Sequence, residues 1–201
     1  MTTTSAPTLA VNERSALPLH PIIGARFSPR AFSERDVTDD ELRLVLEAAR
    51  WAPSSMNEQP WRFLVVRRGG EGYAEMLSCI APSNAVWADK APVLILNMVH
   101  RQFARNGHEN YHARHDLGLA LGQFTAQATA LGMGLHLLGG FDAQATRSVF
   151  GIPDVYDLVC ITVLGFPGDP DSLPDNLRTR ELNHSPRKPL EDLVHFGGFN
   201  G

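Results

Sequence analysis

Within Arg26-Phe27-Ser28-Pro29-Arg30, two guanidinium groups and a hydroxyl fall inside five residues. Arginine forks match the geometry of phosphate oxygens, and a hydroxyl between them adds a short donor, so the segment suits a phosphate ester. A solvated basic turn has the same composition. In Ala52-Pro53-Ser54-Ser55-Met56-Asn57-Glu58-Gln59-Pro60-Trp61, two serines and an amide pair stand between prolines that restrict the backbone. Donors and acceptors held in fixed positions can read the polar edge of a planar heterocycle, although a Pro-rich connector looks alike. His108, His112 and His115 lie at metal-like intervals, but no carboxylate or thiol motif completes a site, and they read as surface histidines. Cys79 and Cys160 are far apart with no CxxC spacing, so redox chemistry in this chain needs a borrowed cofactor. The Gly-rich stretch Gly132 to Gly140 lacks G-x-G-x-x-G after a strand, which argues against a Rossmann nucleotide site.

The elements that would hold these residues follow from local patterns. Thr38-Asp39-Asp40-Glu41 is a capping box, and Leu42, Val45, Leu46 and Ala49 continue it as one apolar helix face until Pro53. Phe63 to Val66, Pro92 to Leu96, Leu135 to Leu138 and Val159 to Leu164 are short apolar runs closed by Gly, Pro or charge, and predict four strands. Short helices are expected over Gly72 to Ile80 and Ala143 to Phe150, with a turn at Pro82-Ser83-Asn84. From Asp116 to Leu131 apolar residues keep helical spacing while Gly118, Gly122, Ala126 and Ala130 keep the other faces small, which places this helix in the core or at a subunit interface. Arg101 to Arg114 is polar and is expected to cover an edge or an opening. The tail from Asp169 ends in the apolar cluster Val194, Phe196 and Phe199, as in chains that wrap a neighbour.

The chain has 201 residues, 43% hydrophobic and 20% charged, the composition of one globular domain. A net charge of -4 gives no global attraction to nucleic acid or anionic lipid. Residues 1–20 form a loose arm without the marks of a secretory signal, and residues 21–201 form the single domain. No apolar run approaches the roughly 20 residues of a membrane span. A cytoplasmic location is therefore expected.

Taken in order, Arg-x-Ser-x-Arg, the capped helix, and Ala-Pro-Ser-Ser-x-Asn-x-Gln-Pro-Trp running into a strand resemble the amino-terminal signature of the nitroreductase family. Gly132 to Asp142 is similar to the family's central strand and loop, and Arg187-Lys188-Pro189-Leu190 to its closing basic motif. The resemblance implies an α+β fold, with a central mixed sheet flanked by helices and a C-terminal tail embracing the partner of a homodimer. It implies FMN as cofactor and NAD(P)H as co-substrate, with a small electron-poor molecule such as a nitroaromatic or quinone as acceptor.

By the same resemblance, Arg26, Ser28 and Arg187 hold the FMN phosphate and Arg30 lies near the pyrimidine edge of the flavin. Pro53, Ser54, Ser55 and Asn57 reach the flavin from the partner subunit, and Asn84 hydrogen-bonds the ring. Leu137, Leu138, Gly139 and Gly140 form the loop whose backbone donates to the redox-active nitrogen. Phe27 stands where many relatives have a second arginine, and Leu137-Leu138-Gly139 where the family often has proline or glutamate. These departures leave the substrate open. The implied alternatives are a flavoenzyme of the same fold with a dehydrogenating or dehalogenating reaction, and a non-catalytic flavin-storing protein.

Overall fold

The computed structural model describes Ser15 and residues 17–199, so most of the expected arm lies outside the described residues. After a five-residue helix, α1 (Pro21–Ala25), the capping box forms as the sequence predicts. The Thr38 hydroxyl accepts from the Glu41 N–H at 3.2 Å, and the Glu41 carboxylate accepts from the Thr38 N–H at 2.9 Å. These bonds open α2 (Asp39–Arg50).

The remaining elements are β1 (Trp61–Arg67), α3 (Tyr73–Cys79), α4 (Pro82–Ala88), β2 (Val93–His100), α5 (Ala113–Ala130), β3 (Gly134–Leu138), α6 (Ala143–Phe150), β4 (Tyr156–Gly165) and α7 (Asp175–Leu182). The turn expected at Pro82-Ser83-Asn84 is instead the first turn of α4, with Pro82 in the opening position where a missing N–H leaves nothing unpaired. Helices α1 and α7 have no counterpart among the predicted elements.

The strands form one sheet in the order β1-β2-β4-β3. Every ladder is antiparallel, which corrects the expectation of a mixed sheet within the chain. The connections explain the difference. Helices α3 and α4 have seven residues each, about 10 Å, and carry the chain out and back to the end of the sheet it left.

Residues alternate between two apolar layers. Val93, Ile95 and Val99 of β2 pack with α2 and α5, while Leu94, Leu96 and Met98 face the layer that contains Met76, Trp87 and Ile152. A bulge between Asn97 and Met98 is absorbed in β4, where Val159 and Cys160 both pack on the α5 side. With both faces covered, β2 is buried along seven of its eight residues and forms the inner strand between β1 and β4.

Candidate active site

The Arg26 to Arg30 segment leaves α1 and is fastened from three sides. Pro29 packs so closely on β3 that a β-carbon at Gly134 would lie 2.4 Å from its Cγ, so only glycine fits there. The carbonyl of Pro29 accepts from His136 Nδ1 at 3.1 Å, which places the proton of this ring on Nδ1. Behind the turn, both oxygens of Glu181 accept from the Arg30 N–H, at 3.0 and 2.9 Å, and Oε1 also accepts from the Ala31 N–H at 3.3 Å. At the front, Arg26 donates to the Ser28 hydroxyl at 3.3 Å.

These residues open onto one cleft of about 430 Å³. Arg26, Ser28 and Arg30 line it from the amino-terminal side, His136 from β3, and Arg180, Glu181 and Arg187 from the carboxyl-terminal side. Four guanidinium groups against one carboxylate give the cleft a positive lining that could hold an anion, and the hydroxyl and arginine forks suit a phosphate. Phe27, the position that departs from the family pattern, also lines the cleft and sets its ring edge-on to His184 at 5.6 Å. Burial, with the positive charge of Arg30 adding to it, pushes His136 below its ordinary value of 6.5.

Arg26 is shared with a second, apolar groove of about 410 Å³ lined by Ile22, Ile23, Leu121 and Leu137. A cationic cleft that shares a lining residue with an apolar groove is an arrangement that suits a phosphorylated aromatic cofactor. The residues present therefore fit FMN. Just past the end of β3, Gly140 lies beside Asn84, whose Nδ2 stands 2.9 Å from where a β-carbon on residue 140 would be, while a β-carbon on the exposed Gly139 would meet open space. Asn84, Leu137, Leu138, Gly139 and Gly140 thus gather at one strand end.

Pro53, Ser54, Ser55 and Asn57 do not line either cavity of their own chain. Their loop is held at the start of α5, where buried Asp116 accepts from the Ser55 N–H at 3.0 Å. Ser54 closes the loop by accepting from the Gln59 N–H at 2.9 Å. Met56, Asn57 and Gln59 have φ of 56°, 55° and 52°, left-handed conformations that asparagine tolerates but that cost Met56 and Gln59 about 1–2 kcal/mol each. His108, His112 and His115 are exposed, and His115 Nδ1 lies 3.2 Å from Asp116.

The model of the nitroreductase family matches residues 23–84 and 71–166. The chain belongs to the nitroreductase family. A solved oxidoreductase containing FMN is similar to this nitroreductase-family chain, with 31% identity and a TM-score of 0.90, covering 96% of this chain and 99% of the other. A structure from Desulfovibrio desulfuricans, described as a nitroreductase in complex with FMN, has 26% identity and a TM-score of 0.72, covering 90% and 99%. Among curated relatives, the FMN reductase (NAD(P)H) of Bacillus subtilis is 26% identical, covering 78% of this chain and 69% of its own. The NADH dehydrogenase of Thermus thermophilus is also 26% identical, covering 84% and 91%.

Glu181, Arg180 and Asp116 carry no motif in the sequence, because each acts on backbone or charge brought near only by folding. His136 had a weak signal, a polar residue inside an apolar strand beside the Gly-rich loop.

Proposed function

We propose that this nitroreductase-family chain is an FMN-dependent, NAD(P)H-oxidising reductase of electron-poor acceptors such as nitroaromatics and quinones. The observation that carries the reading is the convergence of Arg26, Ser28, Arg30 and Arg187, from both ends of the chain, on one cleft that opens through Arg26 into an apolar groove. FMN held there would supply the redox chemistry, coupling the two-electron oxidation of NAD(P)H to two-electron, proton-coupled reduction of the acceptor.

The protein's part is placement and charge. Arg26, Ser28 and Arg187 hold the phosphate, and Arg30 offers positive charge where negative charge grows on reduction. Backbone donors of Leu138 to Gly140, with Asn84 beside them, orient the polar edge of the ring. Pro53, Ser54, Ser55 and Asn57 serve the flavin of a second copy, which makes the homodimer the active unit. A single domain without a Rossmann motif has no separate nicotinamide site, so donor and acceptor use one open face in turn.

Anaerobic titration of the FMN-loaded protein with NADH and NADPH tests the reading. Bleaching of the oxidised flavin band, and parallel double-reciprocal lines with a nitroarene as second substrate, are expected. A chromophore that both nicotinamides leave oxidised would overturn the reductase reading in favour of flavin storage.

A further inference from the structure

Glu181 is the one carboxylate lining a cleft that holds four guanidinium groups, and its side chain is only 4% exposed. Its oxygens take the backbone N–H groups of Arg30 and Ala31, and Oε2 lies 3.9 Å from Nη1 of Arg30. Fastening a turn needs only a hydrogen-bond acceptor. A neutral amide or a backbone carbonyl would serve, without taking a charge out of water. The group found here brings a full negative charge to the arginine nearest the proposed pyrimidine edge. It also joins α7 to the amino-terminal turn across 151 residues of sequence.

We infer that Glu181 is a positioning residue that aims Arg30 and, by offsetting its charge, sets the reduction potential of the bound flavin. The inference rests on the FMN reading above. An uncompensated Arg30 would favour the reduced ring, which gains negative charge, over the oxidised one, and would raise the potential. With Glu181 beside it, the same guanidinium keeps its geometry while part of its field is cancelled. Little water reaches a carboxylate this buried, so the cancellation is not lost to solvent screening.

Glu181→Gln retains the side-chain length and one oxygen for the Arg30 N–H while removing the charge. Spectroelectrochemical titration of the FMN-loaded protein should show its midpoint potential shifted upward, by about 30 mV for a tenfold change in the two-electron equilibrium. FMN affinity of the apoprotein should be equal to or tighter than that of wild type. Should Glu181→Gln not fold, Glu181→Asp draws the carboxylate back from Arg30 and should shift the potential in the same direction by less. An unchanged or lowered potential in the variant measured would leave Glu181 a tether only and overturn the inference while the FMN reading stands. Wild-type protein that takes up no FMN would overturn both.

Discussion

His136 shows how one side chain ties the cleft's charge to its shape. Its Nδ1–H holds the Pro29 carbonyl, and its ring lies 4.7 Å from that of Trp87. A second cation here would face Arg30, and burial already disfavours the charged ring. The folded value therefore lies below the unfolded one, near 6.5. Between these two values the unfolded chain binds more protons, so the His136 contribution to stability is complete above about pH 6.5 and is lost as pH falls through the folded value. Thermal melts of apoprotein from pH 8 to pH 5 should show a falling midpoint below about pH 6.5. His136→Asn should flatten part of that slope. Identical slopes in the two proteins would mean that this ring does not resist protonation.

Element by element, the site depends on close contact between the amino-terminal turn and β3. A β-carbon at residue 134 would meet Pro29 at 2.4 and 3.0 Å and Pro167 at 3.3 Å, so Gly134→Ala must push the turn away. Overpacking of this kind costs about 1–3 kcal/mol, which lowers the melting midpoint by roughly 2–4 °C per kcal/mol. Because Ser28 and Arg30 flank Pro29, FMN affinity should fall by about tenfold, equivalent to ~1.4 kcal/mol. A calorimetric melt and an FMN titration check both, and wild-type values in each would show that Pro29 is free to yield. The elements legible in the sequence are those written locally. Thr38 and Glu41 announce α2 by hydrogen bonds three residues apart, and α6 has the bounds expected from Ala143 to Phe150. Pro82 is ambiguous, since proline opens helices as readily as turns, and α7 is too polar to show a buried face although it buries Leu177 and Glu181. Strand direction was not legible at all, because an apolar run has no polarity and only the connecting helices decide it. Arg26, Ser28 and Arg30 were readable as residue types, whereas the tether of Arg30 to Glu181 links positions 151 residues apart.

In the molecule as a whole, the described chain leaves apolar surface that a single copy does not cover. Among the described residues β1 pairs only with β2, and a groove of about 760 Å³ between it and α2 is lined by Leu44, Leu46, Trp61 and Phe63. At the other end, the tail exposes Leu193 at 61%, Phe196 at 91% and Phe199 at 81%. Gly118, Leu119 and Gly122 form a smooth exposed strip on α5, whose amino-terminal end holds the Ser54 and Ser55 loop. A two-fold dimer would let each tail cover its partner's free strand edge and groove, and would bring the strained loop of one copy toward the cleft of the other. Fully burying a phenylalanine contributes roughly 1.5–3 kcal/mol, so replacing Phe196 and Phe199 together should weaken dimerisation by at least about a hundredfold. Sedimentation of Phe196→Ser/Phe199→Ser at micromolar concentration should then show monomer where wild type shows dimer. Flavin should be lost with the partner, since the double variant leaves Arg26, Ser28 and Arg187 in place and removes only the second copy's contribution. Wild-type protein that sediments as a flavin-loaded monomer would exclude the shared site, and a double variant that remains dimeric would move the interface away from the tail.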